Sequence, residues 1–470
     1  MTDETRTYVT RIDATPDELV AWHQRPGAFE RLSPPWAAVD VVSERGGIAP
    51  GDGKDLHIQL AGPIGVDWSI VHESSPNVPG FTDRQTRGPF AKWTHEHRFV
   101  ADGADGSLLE DRLTYRLPGG VVGAKAGGTR VAHELDRVFT LRQRRTRTDF
   151  RRGHRFPQDR PLRILISGGS GLVGSRLRPY LLTQGHEVMR LTRDGQAAPD
   201  AIAWDPQTGT IEPDALEGFD AVIHLGGVSI AGGRWTERRK EAIRASRVEG
   251  TSLLATTLAG LERKPGVFVS TSAVGYYGDA GTTPLTESSP RGEGFLADVC
   301  EVWESAADPA RAAGIRVVHP RFGVVFAGEG GLLPLIARAF KAGVGGPLGS
   351  GDQYLSWVSL DDLVGILLEC VVNGSLSGPV NASAPQPVTN REFSRALGTV
   401  LHRPSFFKVP SQVARLAGGQ LADELILASQ RVEPEVLTGE HFPFAQGTVE
   451  GALRHELGRF LPGDVPLVTA

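Results

Sequence analysis

Two periodicities divide this chain. In its first third apolar and polar residues alternate: Leu109, Asp111, Leu113, Tyr115 and Leu117 fall on one face, and Glu110, Arg112, Thr114 and Arg116 on the other. That period of two predicts a half-buried antiparallel strand. Val66, Trp68 and Ile70 alternate likewise, and Trp93, His95, His97 and Phe99 share a face of another candidate strand. Short helices are expected between Pro16 and Leu32, and Val131, Leu135, Val138 and Phe139 recur at helical spacing in a long helix. From Leu162 onward the pattern changes. Strand-like runs (Arg163–Ser167, Glu187–Thr192, Asp220–His224, Gly266–Ser270, Ile315–Pro320) alternate with helical stretches, as in a parallel sheet covered on both faces. A polar, proline-containing stretch between the two patterns reads as a linker. The expected organisation is 1–150, a linker at 151–161, a parallel-sheet domain at 162–380 and a small C-terminal domain at 381–470.

The run Ile164–Ile166 enters a glycine turn, Gly168-Gly169-Ser170-Gly171-Leu172-Val173-Gly174, that opens into a helical pattern. Glycines there permit positive φ and let a pyrophosphate approach a helix N-terminus, where free N–H groups and the helix dipole favour negative charge. The next strand begins one helix length later, as a βαβ unit requires, so these residues are expected to bind a dinucleotide. At the end of that strand an NAD-selective site would carry Asp or Glu for the ribose 2′-hydroxyl; Arg193 stands there instead and suits a 2′-phosphate. NADP(H) is favoured. Asp194 follows immediately, so NAD(H) stays compatible.

Composition narrows the class. The 470 residues are 40% hydrophobic and 22% charged with a formal net charge of -5, ordinary for globular domains and unsuited to general nucleic-acid affinity. Cys300 and Cys370 form no disulfide framework or metal-type spacing, and no apolar run approaches a membrane span; a soluble, cytoplasmic protein is expected. His95 and His97 could ligate a metal from one strand face, but no carboxylate or cysteine cluster is evident beside them, so no metal is assigned. The arginines at 137, 142, 144, 145, 147, 151 and 152 read as a solvated helix end running into a basic linker.

The order of elements in the first 150 residues resembles the START/polyketide-cyclase-like helix-grip family, in which a curved sheet wraps the last helix around an apolar cavity. The stretch Gly88-Pro-Phe-Ala-Lys-Trp-Thr-His-Glu-His-Arg98 is similar to one in members fused to nucleotide-sugar-epimerase-like domains. The resemblance implies a small apolar ligand. Residues 162 to about 460 resemble the extended short-chain dehydrogenase/reductase family, and within it an atypical, epimerase-like branch with a C-terminal cap. The stations are the glycine turn, Ala221-Val-Ile-His-Leu-Gly-Gly227, Phe268-Val-Ser-Thr-Ser-Ala-Val-Gly-Tyr-Tyr-Gly278, Arg321-Phe-Gly-Val-Val325 and Trp357-Val-Ser-Leu-Asp-Asp362. The implied fold is a Rossmann-type doubly wound α/β sheet with a small cap, preceded by an α+β helix-grip domain. The resemblance places Leu225, Gly226, Gly227, Ser270 and Arg321 along the cofactor, and puts Asp205 where the family has an adenine-contacting acid, although a turn role is equally open.

The family's Tyr-x-x-x-Lys pair is missing. Aligning the helix that should carry it puts Leu296 at the Tyr position and Cys300 at the Lys position. Ser272 and Tyr276 are the remaining catalytic candidates, with Tyr277 adjacent, while Cys300 reads as a buried, inert thiol. Arg247 stands where an anionic substrate or cofactor phosphate would draw it. Two functions follow: an NADP(H)-dependent oxidoreductase or epimerase-like enzyme on a small carbonyl or hydroxyl substrate, or a non-catalytic NADP(H)- or ligand-sensing protein.

Overall fold

A computed structural model describes residues 3–61, 64–75, 78–193, 198–231 and 233–468. The chain forms two compact units: Met1–Pro157 with Leu182–Gly185 and Arg454–Ala470, and Gln158–Leu181 with His186–Leu453.

The first unit is built on antiparallel pairing. Its strands are β1 (Glu4–Ile12), β2 (Ala38–Arg45), β3 (Gly53–Ala61), β4 (Ile64–Ser74), β5 (Gly80–Arg87), β6 (Lys92–Ala101) and β7 (Ser107–Arg116), in the order β2-β3-β4-β5-β6-β7-β1. The short strand Leu467–Val468 pairs with β1 at the sheet edge. Helices α1 (Pro16–Gln24) and α2 (Ala28–Leu32) follow β1; α1 starts at a capping box in which Thr15 and Glu18 satisfy each other's backbone N–H groups. The expected long helix is α3 (Gly120–Gly153). Its Leu135 and Phe139 pack with Tyr8, Trp93, Leu113 and Tyr115, and Phe150 packs with Trp22, Phe99 and Leu109.

The α3 arginines differ from the expected solvated face. Arg145 is buried and donates to the carbonyls of Arg31 (3.0 Å) and Ser33 (2.9 Å), and Arg31 in turn makes a buried two-bond pair with Asp149. Arg144 bonds Asp464, and Arg137 donates to the Gly458 carbonyl. These cations tie the helix to neighbouring segments because their long stems can pack on apolar surface while the head finds a fixed acceptor. A second difference concerns His95 and His97. Two carboxylates, Asp83 on β5 and Asp111 on β7, do lie beside them, brought there by strand pairing.

The second unit follows the sequence pattern closely. β8 (Arg163–Ser167), α4 (Gly174–Thr183), β9 (Glu187–Thr192), β10 (Ala201–Asp205), β11 (Thr210–Ile211), β12 (Ala221–His224), α5 (Glu237–Gly260), β13 (Val267–Ser270), β14 (Ser272–Ala273), β15 (Pro284–Leu285), α6 (Phe295–Ser305) and β16 (Arg316–Phe322) occur in chain order. The main sheet runs β11-β10-β9-β8-β12-β13-β16, with β14 and the strand Gly378–Ala382 also pairing β16. Its pairings are parallel except for the β10–β11 edge hairpin. This is a Rossmann-like sheet whose strand order reverses between β8 and β12. Leu165, Val222 and Phe268 are fully buried in its core, which is why each strand reads as an unbroken apolar run. Smaller two-stranded pairs, the helices Asp308–Ala312, Leu333–Lys341 and Leu360–Val372, and the helices from Asn390 onward account for most of the remainder. No helix among the described residues is long and apolar enough to cross a membrane.

Candidate functional site

The site is laid out by the reversal point. β8 and β12 are in register, Ser167 opposite His224, so the segments that leave their carboxyl ends start side by side. Gly168 takes φ +71, and a Cβ on it would lie 3.1 Å from the Leu225 carbonyl carbon. The left-handed backbone, with the neighbouring loop this close, favours glycine here. At the far end of the turn a Cβ on Gly174 would sit 2.3 Å from the Gly168 carbonyl oxygen, so α4 docks directly on the turn. Gly171 differs: it is exposed, and a Cβ there would meet only the Gly168 oxygen, at 3.3 Å. Ser170 and Gly171 thus present an open backbone face beside the N-terminus of α4, the cradle a pyrophosphate needs.

Flanking groups complete the rim. Arg193, just past β9, is exposed; Asp194 lies outside the described residues. Arg190, which sequence reasoning missed, lays its aliphatic stem against Gly169 and makes a two-bond pair with Asp200, both at 2.9 Å. Asp205 accepts the Gln207 N–H (2.9 Å) and so closes its own turn; that bond, with Arg193 among lesser causes, holds its carboxyl below the usual range. Beneath the cradle, His224 is fully buried, with Nδ1 bonded to the Ser167 hydroxyl and Nε2 without a hydrogen-bond partner. Burial, with Arg247 nearby, pushes its pKa down to about 4, so the ring is neutral. Arg247 donates to the carbonyls of Val228 (3.1 Å) and Ile243 (3.0 Å), fixing the strand-to-helix loop after Gly227.

The second wall comes from β13, β14 and α6. Ser270 is fully buried, and the Thr271 hydroxyl donates to the His224 carbonyl at 3.0 Å. Ser272 is buried beside the Cys300 thiol, and its hydroxyl has no hydrogen-bond partner of normal geometry. Cys300 is itself buried; desolvation, then Glu304, push its pKa up to about 11. Leu296 packs against Gly275. Leu296 and Cys300, expected at the positions of the family's Tyr and Lys, are thus an apolar side chain and a buried thiol that burial keeps protonated.

Behind this wall lies a charged network that the sequence did not disclose. Arg321 donates to both oxygens of Glu304 (2.8 and 2.9 Å) and to the Tyr277 hydroxyl (2.9 Å), and its guanidinium lies 3.5 Å from the Tyr276 ring centroid. Tyr277 donates to Asn381 (2.7 Å), whose backbone N–H bonds Glu287. Arg321 was expected along the cofactor; its Nε, Nη1 and Nη2 are each engaged by Glu304 or Tyr277. Tyr276 is half-buried on the other side of the stack. Arg321 and Glu304 lie 17 residues apart with no local pattern to link them.

Comparison with known proteins agrees with this layout. Residues 164–381 match the NAD dependent epimerase/dehydratase family, and residues 409–456 match a domain of unknown function, DUF1731. An epimerase family protein of Mycobacterium bovis is 40% identical over 296 residues, covering 63% of this chain and 98% of the relative. A crystal structure described as a nucleoside-diphosphate sugar epimerase from Corynebacterium glutamicum is 34% identical, has a TM-score of 0.78 and covers 96% of this chain and 90% of that one. The human epimerase family protein SDR39U1, solved with NADPH, is 31% identical with a TM-score of 0.57, covering 63% of this chain and 99% of that one.

Proposed function

The chain belongs to the NAD-dependent epimerase/dehydratase family, and from that premise we propose that it is an NADP(H)-dependent enzyme acting on a small carbonyl or hydroxyl substrate. The observation that carries this reading is the glycine cradle at the β8–β12 reversal, open at Gly171 and closed by tight packing at Gly168 and Gly174. The relative solved with NADPH supports the choice of cofactor. Gly168, Gly169, Ser170, Gly171, Leu172, Val173 and Gly174 receive the pyrophosphate, with Leu225, Gly226 and Gly227 along the opposite side. Exposed Arg193 takes the 2′-phosphate. When bound, the dinucleotide supplies hydride transfer.

The chain's own contribution is positioning and proton handling. Ser272 offers a hydroxyl to a substrate oxygen, and Tyr276 carries the proton, its ring held from turning by Arg321 stacked at 3.5 Å. Neither Leu296 nor Cys300 can replace the family pair, the first for lack of a proton and the second because its thiol is held protonated.

For the N-terminal unit the proposal is a START-like helix-grip ligand-binding domain. Supporting it are the consecutive antiparallel pairing of β2 to β7, the two short helices after β1 and the packing of α3 against the sheet. The match to the Corynebacterium glutamicum structure, which extends over 96% of this chain, supports treating the fused arrangement as one protein type.

The test is titration of the full chain with NADPH and NADH, followed by protein fluorescence, and then incubation of the NADPH complex with a panel of carbonyl compounds. Tight NADPH binding with oxidation by a panel member is the expected result. Binding without turnover on any member would favour the sensing function, and failure to bind either dinucleotide would overturn the proposal.

A further inference from the structure

Four adjacent strands of the N-terminal unit place a compact set of imidazole and carboxylate groups inside it. Asp83 on β5 pairs with His95 on β6, His72 on β4 pairs with Asp83, and His97 on β6 pairs with Asp111 on β7. Since strand side chains alternate, these paired positions face the same way. The ligand-capable atoms of Asp83, His95 and His97 lie within 4.8 Å of one another. His95 and His97 are almost wholly buried, and the Asp83 side chain keeps 14% exposure, which leaves an approach for a small solute.

The orientation of the rings is the telling feature. His95 Nε2 donates to Asp111 Oδ1 at 2.9 Å, and its Nδ1 points back to within 3.7 Å of Asp83 Oδ2. His97 is turned the opposite way, with Nδ1 3.2 Å from Asp111 Oδ1 and Nε2 3.4 Å from Asp83 Oδ2. Asp111 Oδ1 therefore accepts from the outer nitrogen of His95 and lies beside that of His97, while the inner nitrogens converge on a second carboxylate. Asp111 is held in its turn by Gln143 Nε2 at 3.0 Å. That is the arrangement by which an outer carboxylate fixes ring orientation and tautomer in metal centres. The inner separations are too long for strong direct hydrogen bonds, but a cation with bonds of about 2.0–2.2 Å to each ligand would fill them. His72 Nδ1 bonds the other Asp83 oxygen, Oδ1, at 2.6 Å and so orients the carboxylate that the two inner nitrogens approach. Apolar packing encloses the set: Phe81 stacks on His97 at 4.1 Å, and Phe139 meets His95 edge-on at 5.0 Å.

We propose that Asp83, His95 and His97 bind a divalent first-row transition-metal ion of the zinc class, with Asp111 positioning both imidazoles. Two imidazole nitrogens and one carboxylate suit such an ion better than calcium or magnesium, which take oxygen ligands. Three protein ligands leave a further coordination position for water or for a polar group of a bound ligand. The site is separate from the dinucleotide cradle and does not depend on the function proposed for it.

The test uses the full chain without an oligohistidine tag, stripped with a chelator and titrated with Co²⁺ and then Zn²⁺. One Co²⁺ per chain with visible d–d absorption, displaced by Zn²⁺, is expected. His97→Gln should abolish it, Asp111→Asn should weaken it by about 10–100-fold, and His57→Gln, at a partly exposed histidine of β3 outside the set, should leave it unchanged. Circular dichroism of each variant reports its folding. X-ray absorption of the zinc-loaded wild-type chain needs no variant and should show imidazole scattering with N/O ligands at about 2.0–2.2 Å. No stoichiometric ion on folded wild-type protein, binding unaffected by His97→Gln, or an absorption spectrum without imidazole would each overturn the proposal.

Discussion

The Arg321 guanidinium lies 3.5 Å from the Tyr276 ring centroid while two of its nitrogens clamp Glu304 at 2.8 and 2.9 Å. One cation thereby fixes a candidate proton carrier and neutralises a carboxylate that is mostly shielded from water. Arg321→Met removes both services and leaves Glu304 unpaired, which should cost about 3–5 kcal/mol in urea unfolding. The double variant Arg321→Met/Glu304→Leu should recover most of that loss. A double variant as unstable as the single one would mean that the ion pair is not what Arg321 supplies.

The glycine turn separates a binding role from a packing role. Gly171→Leu should abolish dinucleotide binding with little change in melting temperature, because the space beside Gly171 is open apart from one carbonyl oxygen at 3.3 Å. Gly174→Ala should instead lower the melting temperature, since its Cβ would sit 2.3 Å from the Gly168 oxygen and 2.7 Å from the Gly169 Cα. Isothermal titration and thermal melts of the two variants distinguish these effects.

Arg193→Ala should weaken NADPH by about 10–100-fold, the worth of a charge-assisted hydrogen bond, and NADH by much less. Equal losses for both dinucleotides would remove Arg193 from the 2′-phosphate site.

Neither cysteine should react in the native protein. Burial pushes Cys300 up to about 11 and Cys370 up to about 12, and both side chains are enclosed. An aromatic disulfide reagent at pH 8 should therefore release almost no thiolate from folded protein and two equivalents from denatured protein. Rapid labelling of one thiol before unfolding that is lost in Cys300→Ser would place Cys300 in an open site.

His224 should make the second unit acid-sensitive. Its folded pKa of about 4 lies below the ordinary value of 6.5. Above pH 6.5 both states hold the ring neutral, and between 6.5 and 4 only the unfolded chain takes the proton. The associated stability is thus present at neutral pH and lost as pH falls through that window, by roughly 3 kcal/mol in full. Urea unfolding at pH 7 and pH 5 should show a larger drop for wild type than for His224→Gln. Equal drops would mean that the ring is protonated in the fold.

The sequence by itself determined the parallel sheet and the glycine turn. A strand buried on both faces must be a local apolar run, and a turn at positive φ beside another backbone favours glycine, so both signals lie within a few neighbouring residues. The same locality explains what was missed. Ala201–Asp205 is mostly only half-buried and Gly378–Ala382 contains Pro379 and Asn381, so neither reads as an unbroken apolar run. The absence of Tyr and Lys from α6 was legible, but the stack of Arg321 on Tyr276 was not, because it depends on β16 running beside β14. The arginines of α3 looked like a solvated stripe in one dimension, and only the fold supplied the carbonyls and carboxylates that receive them. His95 and His97 were visible as a pair on one strand. Asp83 and Asp111 joined them through inter-strand register alone, since antiparallel pairing sets opposite one another residues that no spacing along the chain can connect.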